Sequence, residues 1–205
     1  MAAKSKTTRA KKESPDGAEL LVLELQEIHS AESQLARVLP RLVKAVESEK
    51  LQEILELRLE QGERLIKEIE SAFDEMDESP GRKKNVAAEG LINDAREHVQ
   101  EIAPGPALDA VLIAALQKTE HYCIAAWGTS KSLAQATGQK SVVTSMERAL
   151  KEGKALDEQL TQLAEQEITP ALLEGAESDD EGQDESDSGS NRSRKSSSAE
   201  RRVAS

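Results

Sequence analysis

The chain of 205 residues has the length of one domain with tails. Aromatic residues make up 1% and charged residues 32%, a composition that favours aliphatic packed helices over strands, which draw on β-branched and aromatic side chains. A formal net charge of -12 argues against the whole molecule being a nucleic-acid binder, and a single cysteine excludes an internal disulfide and suits a reducing compartment.

The opening MAAKSKTTRAKK is basic but lacks the apolar run of a signal peptide. No segment approaches the roughly 18 to 20 continuous apolar residues of a membrane span, so no membrane association and a cytoplasmic location are expected. Residues 1–16 read as a disordered basic tail, closed by the helix-start signal Ser14, Pro15 and Asp16. A first helix follows, with Leu21, Leu25, Ile28, Glu32, Leu35, Leu39, Leu42 and Val46 recurring at steps of three and four, and Pro40 predicts a kink in it. A second helix is expected from Ser48 to Met76, on a stripe of Leu51, Leu55, Leu59, Ile66, Ile69, Phe73 and Met76. DESPGRKKN then breaks the chain at Ser79, Pro80 and Gly81.

A shorter helix spans Val86 to Ile102, and APGP ends it. The next long helix runs from Ala107 to Ala136, where Gly138 breaks it, and the last runs from Ser141 to Gln166. Four long helices and one short one predict an all-α, antiparallel four-helix bundle with a crossover, over residues 17–168. Residues 169–205 turn into an acidic block and then a Ser/Arg/Lys-rich stretch, too poor in apolar residues to build a core, and read as a disordered tail.

Acids stand where these stripes should be apolar. At about 100° per residue, Glu32 is central on the first helix, Glu120 lies among Leu116, Cys123, Ile124 and Trp127 on the fourth, and Asp157 adjoins Gly153 and Leu160 on the fifth. A buried carboxylate needs a proton, a cation or a set of donors. Inward carboxylates from facing helices are how bundles hold two metal ions, and carboxylate and imidazole ligands suit iron or manganese. Glu60 and Glu63 have the i, i+3 spacing of such a pair, but Glu60 falls nearly opposite the stripe and Glu63 at its edge. Arg58 and Gly62 hold the central positions, and Arg58 pairing with a buried acid would close the site without any metal. His29, His98 and His121 read as hydrogen-bonded or solvated, and Cys123 as a small core residue rather than a nucleophile.

QEIHSAESQL, RLEQGERL, AAEGLINDAREHV, DAVLIAALQKTEHYCIAAWGTSKSLA and GKALDEQLTQLA together resemble the YciE/YciF family of bacterial ferritin-like proteins, over residues 18–166. The resemblance implies a ferritin-like bundle associated with general stress responses, a homodimer, and a candidate iron or manganese centre. Its ligands would be Glu32, Glu120, Asp157 and one or both of Glu60 and Glu63, acting on peroxide, oxygen or ferrous ion. Cys123 and Gly153 stand where the family tends to place further acids, which implies a degenerate site. The alternative is a metal-free bundle acting through its surface or tails. A third reading, ranked last, has the basic N-terminal arm associating with DNA, where binding would fall steeply with salt.

Overall fold

The computed structural model describes residues 14–174, and all of its regular structure there is helical. The expected tails lie mostly outside these residues. Four long helices, α1 (Gly17–Val43), α2 (Glu49–Glu75), α4 (Pro106–Thr137) and α5 (Lys140–Leu163), surround one core, with the shorter α3 (Val86–Glu101) in the connection between α2 and α4. The α1–α2 and α4–α5 hairpins pack on each other through α1 against α4 and α2 against α5, while α3 lies over α4 and α1. None of these helices is long and apolar enough to cross a membrane.

Each long helix repeats its buried positions at alternating steps of four and three, the spacing that keeps one seam facing its neighbours. On α1 the seam is Leu21, Leu25, Ile28, Glu32, Leu35, Leu39 and Leu42. On α2 it is Leu51, Leu55, Arg58, Gly62, Leu65, Ile69 and Ala72. The α2 seam differs from the predicted stripe, since Leu59 and Ile66 are only half-buried. The two least apolar members of the repeat, Arg58 and Gly62, sit at its centre and conceal it from a hydrophobicity pattern. On α5 the seam is Val142, Met146, Ala149, Gly153, Leu156, Leu160 and Leu163.

The ends are set by local chemistry. Asp16 caps α1 by accepting from the N–H groups of Ala18 and Glu19, both at 2.9 Å, while Glu19 accepts from the Asp16 N–H in return. Pro40 is exposed, and α1 ends within a turn of it, at Val43. The α1–α2 loop is held from across the bundle: buried Asp109, in the first turn of α4, accepts from the N–H groups of Glu47 (3.1 Å) and Ser48 (2.9 Å). Gly138 turns α4 into α5 at φ +77°, a left-handed conformation that favours glycine.

Beyond Leu163 a π-helical turn, Ala164–Ile168, precedes helical residues that run on to Glu174, past the expected boundary at 168. The α5 repeat would next place Glu167 inward. The wider turn advances the seam by one residue, so that Ile168 is buried and Glu167 is free to pair with Lys50.

Candidate functional site

Halfway along the bundle the four seams meet in one layer. Glu32 from α1 faces Gly62 from α2, and Glu120 from α4 faces Gly153 from α5. Each hairpin thus supplies one glutamate and one glycine. A Cβ on Gly62 would come within 3.0 Å of both Glu32 Oε2 and Arg58 Nη1, and one on Gly153 would stand 2.4 Å from Glu120 Oε1. These glycines are the room the carboxylates occupy.

Arg58, one turn before Gly62, breaks the symmetry of the two hairpins. Its guanidinium donates from Nη1 to Glu32 Oε2 (3.0 Å), from Nη2 to Glu32 Oε1 (3.1 Å) and from Nε to Glu120 Oε2 (2.8 Å). The planar fork therefore grips one carboxylate with two bonds and the other with a third, an arrangement a lysine cannot reproduce. Nη2 also points at Cys123 Sγ, 3.9 Å away, and Cζ lies 5.6 Å from the centroid of the Trp127 ring. Glu32, Arg58 and Glu120 are 0%, 3% and 2% exposed, so this is a fully desolvated charge cluster of two anions and one cation.

The electrostatics follow from that imbalance. Burial alone would lower the Arg58 pKa, but the charges of Glu32 and Glu120 outweigh it and hold the guanidinium firmly protonated. Burial pushes the Glu120 carboxyl up from the usual range; Arg58 opposes this, and Glu32 and Asp157 add to it. Glu120 Oε1 has no hydrogen-bond partner and lies against Gly153 and Trp127. Burial, reinforced by Glu32, also raises the Cys123 thiol well above its ordinary value, so it stays a protonated core group, not a nucleophile.

Of the five acids expected to gather around a metal, the fold brings only Glu32 and Glu120 together. Glu60 and Glu63 are exposed on α2. Asp157 is half-buried and turned aside, where Oδ1 accepts from Gln117 Nε2 (3.1 Å) and Oδ2 lies 3.3 Å from His121 Nε2. His29 bonds Glu70 at 3.0 Å, and His98 lies 3.8 Å from Asp94. Among the described residues no three His, Cys, Asp or Glu side chains converge as a set able to hold a metal ion. The residues present do not fit a two-metal centre: the position between the paired glutamates is filled by a guanidinium already bonded to both.

Sequence reasoning found Glu32, Glu120 and the central place of Arg58. It missed Asp109, which secures the α1–α2 loop, and Asn85, the buried cap of α3. The Asn85 side chain accepts from the Ala88 N–H (3.0 Å) and donates to the Glu27 carbonyl (3.1 Å) and to Tyr122 Oη. The asparagine immediately before a helical run was the available signal for it.

The family described as Domain of unknown function (DUF892) matches residues 17–173. Protein YciF of Escherichia coli is 39% identical over 141 residues, 68% of this chain and 85% of that protein. The crystal structure of the E. coli stress protein YciF superposes with a TM-score of 0.70 at 36% identity, covering 74% of this chain and 96% of that one. YcfI from Rhodopseudomonas palustris superposes with a TM-score of 0.67 at 31% identity, covering 72% and 94%. The chain belongs to the DUF892 family, the family of YciF.

Proposed function

We propose that this protein is a stress-associated bundle of ferritin-like descent in which an arginine has taken the place of metal, so that it works as a non-enzymatic scaffold through its surface or tails. The observation that carries this reading is the three-bond grip of Arg58 on Glu32 and Glu120. A cation entering between these carboxylates would have to expel a guanidinium that is itself their counter-charge, leaving Arg58 buried and unpaired. The stress association rests on YciF, which is described as a stress protein. A cytoplasmic homodimer remains part of the proposal, and light scattering on the purified chain tests the dimer directly.

A second reading keeps iron or manganese in the core. In its favour stands Glu120 Oε1, a buried carboxylate oxygen with no donor. Elemental analysis decides between the two, on protein purified without chelator from cells grown with added iron and manganese. The guanidinium-closed bundle is expected to carry almost no metal. A content close to two atoms per chain, as in two-metal carboxylate bundles, would overturn it and make peroxide and ferrous-ion oxidation the next assays.

A further inference from the structure

Although the chain is strongly acidic overall, positive charge collects along one stretch of the surface of the described residues. A recess of about 330 Å³ lies between α1 and the 76–85 connection, with Ser33, Arg37, Arg82, Lys83 and Lys84 on its walls and no carboxylate among its lining residues. It adjoins a smaller recess of about 100 Å³ that shares Arg37 and Lys84 and adds Arg96 and Glu89. Lys83 pairs with Glu27 at 2.8 Å, and Lys84 pairs with Glu89. Arg37, Arg82 and Arg96 form no ion pair among the described residues, and the Arg96 Nε is buried without a partner. Five cations are thus answered by two carboxylates.

The walls are held in place without a ligand. Gln26 donates to the Ser79 carbonyl (3.0 Å), the Asn85 N–H donates to Ser30 Oγ (2.9 Å), and Gln34 donates to the Asn85 carbonyl (3.0 Å). These bonds tie the 76–85 connection onto α1, so the cations are gathered before anything binds, which lowers the ordering cost of recognition. The volume lies at the small end of the range of small-molecule sites. No phenylalanine, tyrosine or tryptophan lines either recess, and the one imidazole there, His29, is bonded to Glu70 at 3.0 Å. Forked arginines and lysine point charges are the groups that hold phosphate oxygens.

We propose that this recess binds a multiply charged phosphate anion, a free oligophosphate or the phosphate chain of a nucleotide, by charge alone. The probe is inorganic tripolyphosphate, titrated calorimetrically into the full chain at about 150 mM salt, where diffuse surface attraction is screened beyond roughly 8 Å. Saturable one-to-one binding is expected. The paired substitution Arg37→Ala with Arg82→Ala should weaken it at least about tenfold, whereas Lys151→Ala with Lys154→Ala, an equal loss of charge from the exposed side of α5, should leave it within about twofold. All four side chains are exposed, so circular dichroism is expected to be unchanged in both variants. ATP binding as tripolyphosphate does would extend the site to nucleotides, and tripolyphosphate binding alone would restrict it to free oligophosphate. No saturable binding, equal weakening by the two pairs, or binding of adenosine would overturn the proposal.

Discussion

A Cβ on Gly153 would stand 2.4 Å from Oε1 of Glu120 and 2.6 Å from Cζ3 of Trp127, so α4 and α5 meet at this level only because α5 carries a glycine there. Both neighbours are buried, so a Cβ at this position would force a shift inside the core.

The sign of a substitution follows from this. Gly→Ala inside a helix normally stabilises by up to about 1 kcal/mol, and that is the expectation for Gly128→Ala on α4, where a Cβ meets nothing within 4 Å. Gly153→Ala should instead destabilise by about 1–3 kcal/mol through overpacking. Urea midpoints of the two variants should move in opposite directions. Equal shifts would mean that the α4–α5 contact relaxes freely.

Removing the guanidinium while keeping an unbranched apolar stem, by Arg58→Met, strands two carboxylates in the core. The expected loss is about 3–5 kcal/mol. Combining it with Glu32→Gln and Glu120→Gln should recover most of that loss, since no unpaired charge is left. A single variant within about 1 kcal/mol of the parent would show that Arg58 does not hold the layer together.

Glu120 makes stability depend on pH. Its carboxyl is raised by burial, so the folded state holds the proton more tightly than the unfolded chain does. That contribution is fully present below the unfolded carboxylate pKa and is lost as pH rises through the raised folded value. Glu120→Gln keeps an acceptor for Arg58 and removes the titration. The stability of this variant relative to the parent should therefore increase with pH across that window and then level off. A difference independent of pH would rule out Glu120 as the titrating group.

Asn85→Ala should cost about 2 kcal/mol, more than an exposed cap, because it deletes the α3 cap and strands the partners of a buried amide. Asn85 is 1% exposed and joins α3 to both α1 and α4. Hydrogen exchange should locate the loss in α3 and the 76–85 connection; uniform loss across the bundle would contradict this assignment.

The helices were legible because three- and four-residue spacing leaves a direct mark on sequence, and Asp16, Ser48 and Gly138 mark ends through chemistry local to a few residues. The α2 seam was read less well. Its centre is Arg58 and Gly62, and a search for apolar periodicity slides past a charge and a glycine to Leu59 and Ile66 on the flanks. Asp109 was missed for a related reason: its partners, Glu47 and Ser48, are 62 and 61 positions away, and nothing in its own segment announces them.

Residue spacing alone was enough to turn Glu32, Glu120 and Arg58 toward the core, since it sets helical phase. Their meeting in one layer depends on the axial register of α1, α2 and α4, which arises only when the helices pack. The same register turned Asp157 toward Gln117 and His121 and set Gly153 against Glu120. A carboxylate on a helix face is equally ready for a metal, a proton or a guanidinium. The neighbouring helices selected the guanidinium by placing the fork of Arg58 within hydrogen-bonding distance of both glutamates.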